Sequence, residues 1–151
     1  MQNRLDLNKF VVFKVVDYLM AVPISSVLKT IRYPLLEDRS LREIGLVQVG
    51  HHTIRCLDLQ QRLFPGSTDR RVMSKQCIVI ARVLEGELCG IVVDEPPILM
   101  QLPEESIQPL PKSHPQSGLL TFASHVAVLP QEPRFTIFLL DLQQALISGV
   151  K

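Results

Sequence analysis

The groups able to do chemistry are few in this chain: four histidines (His51, His52, His114, His125), three cysteines (Cys56, Cys77, Cys89) and scattered acids such as Asp94, Glu95, Glu104 and Glu105. His51 and His52 are neighbours at an expected β-turn, and neighbours on a strand point to opposite faces, so a shared metal is not expected. The cysteines are widely spaced, each inside an apolar run, as buried structural thiols are. No Gly-rich phosphate loop, nucleophile elbow or Cys-x-x-Cys pair is present. With no Trp and two Tyr, there is no aromatic platform for stacking bases. The expectation is a protein without catalytic residues, cofactor or metal.

Composition narrows the partners. The chain has 151 residues, 46% hydrophobic and 21% charged, enough apolar surface to fold as one domain or as two small lobes. Sixteen Lys and Arg against fifteen Asp and Glu leave a net charge of +1, which gives no field to draw in nucleic acid or an anionic membrane. The polar stretch Met1 to Asn8 does not read as a signal peptide, and no apolar run approaches the roughly 20 residues of a membrane span, so a cytoplasmic protein is expected.

The elements that must position any site read as strands. Phe10 to Val16, Leu19 to Ile24, Leu46 to Val49, Thr53 to Leu57, Gln76 to Leu84, Leu88 to Val93 and Phe135 to Leu140 are short and rich in Val, Ile, Leu and Phe. Most of the eleven prolines fall between these runs, as in a barrel. Turns are expected at Asp17-Tyr18 and at Glu85-Gly86-Glu87, each joining a hairpin. The two hairpins look alike, and each is followed by an apolar stretch, Val27-Leu28 in one and Ile98 to Met100 in the other.

A second likeness is sharper. Thr53 to Leu63 (TIRCLDLQQRL) matches Thr136 to Leu146 (TIFLLDLQQAL) at eight of eleven positions, at an offset of 83 residues (53 to 136). The chain is therefore read as two related halves, with lobe one at about 9–72 and lobe two at about 76–148. Asp58 and Asp141 stand where a strand gives way to Leu-Gln-Gln, and both read as N-caps of short helices, Leu59 to Leu63 and Leu142 to Ile147. Phe64 to Lys75 and the proline-rich Leu102 to Leu119 read as loops, the latter extended and mobile.

The ordered words Phe13, Ala21-Val22-Pro23-Ile24-Ser25-Ser26-Val27, Gly45-Leu46-Val47, Leu57-Asp58-Leu59, Gly90-Ile91-Val92-Val93-Asp94 and Leu140-Asp141-Leu142 resemble the CheW family of chemotaxis coupling proteins, from about Lys9 to Ser148. The resemblance implies an all-β fold of two five-stranded SH3-like barrels, side by side in one domain spanning 1–151. It implies a non-enzymatic adaptor that joins a chemoreceptor's helical tip to the regulatory domain of a chemotaxis-type histidine kinase, with no nucleic acid and no membrane insertion. It also implies docking at the groove between lobes and at barrel edges, here around Ser26, Val27, Lys29 and Ile31, and around Val49, Gly50, His51 and His52.

Two positions depart from the family. Lys29 stands where an acid is usual, and Gly50-His51 where an Arg-Gly pair is usual. A base in place of an acid reverses the sign of an ion pair, and a lost arginine removes a bidentate donor. Two further readings follow: a CheW-like regulator holding one non-standard partner outside an array, and, from another class, a sensor for an apolar small molecule. Ile31, Tyr33, Leu35 and Leu36 read as core or as contact residues: Ile31 fits both equally, whereas Tyr33 and Leu35, beside Pro34, lean to the surface.

Overall fold

The computed structural model describes residues 8–32, 45–63, 77–83, 86–111, 122–130 and 135–148. Eleven strands are found among them: β1 (Lys9–Val15), β2 (Tyr18–Pro23), β3 (Val27–Arg32), β4 (Leu46–Val49), β5 (His52–Leu57), β6 (Cys77–Arg82), β7 (Leu88–Val93), β8 (Ile98–Gln101), β9 (Ile107–Pro109), β10 (Ala123–Leu129) and β11 (Phe135–Leu140). Two short helices, α1 (Leu59–Leu63) and α2 (Leu142–Ser148), follow β5 and β11. Every expected strand is present, with ends shifted by a residue or two. The turn expected at Asp17-Tyr18 is Val16-Asp17, since Val15 pairs with Tyr18. Val16 carries φ 57, a left-handed conformation that strains a β-branched residue.

One expected cap is formed. At Asp141 the backbone N–H of Gln144 donates to Oδ1 at 3.1 Å, satisfying one of the orphan donors of α2. The stretch read as an extended, mobile loop is partly corrected: Glu104–Ser106 forms a 3-10 turn, closed by the Ser106 hydroxyl donating to the Pro103 carbonyl at 2.6 Å, and β9 follows. Pro109 is tolerated in β9 because that strand is an edge. The Phe64 to Lys75 loop, His114, Tyr33, Leu35 and Leu36 lie outside the described residues.

The strands form two mixed sheets, ordered β8-β1-β2-β11-β10-β9 and β3-β6-β7-β5-β4. They correspond to two compact units, one of residues 1–25 with 97–151, the other of residues 26–96. This differs from the lobe boundaries of 9–72 and 76–148. The halves of the sequence are related, but each unit takes its central hairpin from the other half: β1–β2 sits among β8, β11 and β10, and β6–β7 among β3, β5 and β4.

Linker length explains the exchange. In the second sheet β3 and β7 both run antiparallel to β6, so they are parallel to each other with one strand between. For β3 to hold the same place beside its own hairpin, β1–β2, the chain would have to return along the length of a strand, and such a crossover takes about a dozen residues. Only Ile24–Ser26 connect β2 to β3. Their reach is at most about 14 Å, against about 20 Å for a six-residue strand. Asp94 to Pro97, between β7 and β8, are similarly short. Neither half can close on itself.

The two units repeat each other in register. Met20 in β2 pairs in parallel with Phe138, and Cys89 in β7 pairs in parallel with Arg55. These matches fix equivalences of 20 with 89 and 138 with 55, the second being the offset of 83 seen in the sequence. The cores then correspond residue by residue. Phe10, Val12, Ala127 and Ile137 in the first unit take the places of Ile78, Ile80, Val47 and Ile54 in the second. Leu19, Met100, Leu129 and Leu139 take those of Leu88, Ile31, Val49 and Cys56. One exchange is compensated: a Cβ added at Gly90 would lie 2.8 Å from Ile78 Cγ2, whereas the equivalent pair in the first unit is Ala21 and Phe10, which has no branch at Cβ.

Candidate docking surfaces

The first group of expected docking residues lies on β3, an edge of the second unit's sheet. The 3-10 turn Ile24–Ser26 leads in, and a bulge between Val27 and Lys29 lifts Leu28 out to 46% exposure. Lys29, opposite Ile80, is exposed. Ser26 and Val27 are half-buried. Ile31 is turned inward and packs on Val47, Ile54, Ile78 and Ile80, so its apolar surface is largely spent on the core.

The second group forms the tip of the β4–β5 hairpin on the opposite edge of that sheet. Val49 pairs with His52 across a two-residue turn, Gly50-His51. Gly50 has φ +61, the sign that a type II′ turn needs at its first central position. An arginine at Gly50 would therefore be strained whatever space it found. His51 and His52 are exposed, and Val49 joins Ile31 against the same core cluster. Thus the fold brings Ile31 and Val49 to one core and leaves Lys29, Gly50, His51 and His52 to solvent, on two separate edges.

The candidate chemical groups do not converge. Among the described residues no group of three or more His, Cys, Asp or Glu could hold a metal ion. His125, exposed on β10, has its Nδ1 2.8 Å from the Ser124 hydroxyl. The Cys89 thiol is pushed up to about 12, first by burial, then by Glu87 and Cys56, with Arg55 opposing. It stays protonated and is a poor nucleophile. Burial, followed by the charge of Arg55, lowers the pKa of the half-buried Arg62. Cys77 is buried and Cys56 half-buried, and none of the three cysteines forms a disulfide.

Several exposed apolar groups escaped the sequence reading. Leu28 marks the β3 bulge, Ile98 and Leu99 lie on β8, and Val128 on β10. Tyr18, 37% exposed, meets Phe138 edge to face with ring centroids 6.0 Å apart. A signal was available: aligning the halves places Arg55 at the position of Phe138 and Lys29 at that of Ile98, so polar and apolar choices differ at equivalent sites.

The two strand-built units leave several sheet edges and turns exposed. A family model described as CheW-like domain matches residues 9–148, and the chain belongs to that family. Among solved structures it resembles the crystal structure of the scaffolding protein TtCheW from Thermoanaerobacter tengcongensis, at 20% identity and a TM-score of 0.65, over 88% of each chain. The fold is accordingly the all-β CheW fold of two SH3-like barrels, with six strands rather than the expected five in the first sheet and five in the second. No curated protein matches. Among the described residues no helix is long and apolar enough to cross a membrane.

Proposed function

We propose that this chain is a non-enzymatic cytoplasmic adaptor that couples a receptor's helical tip to the regulatory domain of a chemotaxis-type histidine kinase. The observation that carries this reading is the extent of the family match, 9–148, which takes in both barrel units and both hairpins that complete them. The exposed β3 edge around Lys29 and the Gly50-His51 tip support it, because each offers side chains to a partner without being needed to hold the barrel. Docking draws on Ser26, Val27 and Lys29 at the first edge and on Gly50, His51 and His52 at the second. Ile31 and Val49 support them from the core. The expected result is calorimetric binding of the purified protein to the kinase regulatory domain, tighter with a receptor-tip fragment present. No heat with either partner, alone or together, overturns it.

Lys29 favours one variation on this reading. A base exposed where the family usually has an acid selects a partner of the opposite local charge. In this version the protein holds one partner outside an array. Lys29→Glu separates the two: it leaves the fold intact, and it strengthens kinase binding only if the lysine opposes the usual contact.

A further inference from the structure

The two sheets have four edges, β8, β9, β3 and β4, and three of them are guarded against adding another strand. β9 is three residues long and ends in Pro109. β3 is bulged and exposes Lys29 and Arg32. β4 exposes Gln48 and no large apolar side chain. β8 is different. Ile98 is 59% exposed and Leu99 57%, and as neighbours on a strand they point to opposite faces. Both sides of this edge are therefore apolar, while Met100 reaches the core and holds the strand in place.

The internal repeat supplies the control. Ile98 pairs with Val12 as Lys29 pairs with Ile80, and Val12 and Ile80 hold equivalent core places. The equivalent edge of the second unit thus carries Lys29, Thr30 and Arg32 where β8 carries Ile98, Leu99 and Gln101. One copy of the same strand kept its charges, and the other carries none from Ile98 to Leu102.

We propose that two copies of this chain associate through the outer edge of β8, antiparallel, about a two-fold axis at Leu99. Residues opposite each other in an antiparallel pair share a face, so Leu99 meets Leu99 and Ile98 meets Met100. An identical uncharged strand brings no like charges together, which β3 in the same arrangement would. Pro96 and Pro97, just before β8, have no N–H to donate, so they stop the ladder on that side and keep it centred near Leu99. A two-fold pairing also closes on itself and consumes both edges. A ladder of so few residues buries little area, and the dimer is reversible. This inference does not depend on the adaptor reading.

Sedimentation velocity over a micromolar to millimolar series tests it on the full chain. The wild type should shift from monomer to dimer, and Leu99→Lys should remain a monomer throughout with an unchanged melting temperature, since the side chain is exposed. Leu99→Cys should cross-link to a covalent dimer under mild oxidation, while Thr30→Cys, at the equivalent place on β3, should not. A wild type that stays monomeric overturns the proposal, as does a dimer that survives Leu99→Lys. An extended segment of another protein as the true occupant of β8 falls under the first of these outcomes.

Discussion

Val16 holds a left-handed conformation at a hairpin tip where the equivalent loop of the other half has Gly86 at φ +80. A non-glycine residue there costs on the order of 1–2 kcal/mol. Val16→Gly should raise stability by about 1 kcal/mol, part of the relief being offset by the greater freedom of glycine in the unfolded chain. A calorimetric melt that falls instead would show that the tip is not strained. The reverse case is Gly90, where a methyl would press on the β-branched Ile78. Gly90→Ala should destabilise by about 1–3 kcal/mol, and adding Ile78→Leu, which removes the Cγ2 branch, should recover part of that loss. Cys89 gives a pH dependence. Its pKa rises from 9.0 to about 12 on folding, so the stability tied to its protonated form is complete below pH 9 and is lost as pH climbs toward 12. Cys89→Ala should flatten that alkaline decline in a denaturation series.

At the level of elements, legibility followed burial. β6 and β7, buried on both faces, showed as continuous apolar runs, and β5 and β11 announced themselves by repetition. The strands that escaped are the ones whose chemistry hides them. β3 is exposed along most of its length and carries Lys29, Thr30 and Arg32. β9 ends in a proline, β8 is four residues behind a diproline, and the bulge between Ala123 and His125 breaks the alternation of β10. The residues expected to dock could be named as positions, through the family words, but not read as surfaces: that Ile31 packs on the core while Lys29 stays exposed follows from the pairing of β3. The cap at Asp141 was legible, because an Asp between a strand and Leu-Gln-Gln suits the first turn of a helix. Asp141→Ala should cost about 1 kcal/mol through the lost bond to Gln144, seen as a lower urea midpoint without a changed slope.

For the whole molecule, repetition in sequence and division in space proved to be different things. The halves are duplicated as blocks, yet each barrel is assembled from both, because three residues between β2 and β3 and four between β7 and β8 cannot carry a parallel crossover. The linkers therefore decide which hairpin completes which barrel. Lengthening both to about a dozen flexible residues should permit each half to pair with its own hairpin. Spin labels at Lys14 and Arg32 would then report a second distance beside the native one, and an unchanged single distance would mean that side-chain packing alone selects the exchanged arrangement.

The unit of residues 26–96 is continuous in the chain, whereas the other is split around it. On the ribosome this sets an order of events. The β1–β2 hairpin emerges ahead of the rest of its unit, with Phe10, Val12, Phe13 and Met20 destined for burial, and has no neighbouring strands until residues beyond 97 have been made. The inserted barrel can close in the meantime. For that whole interval β1–β2 is an orphaned apolar hairpin, and it is there that a nascent-chain chaperone has something to hold.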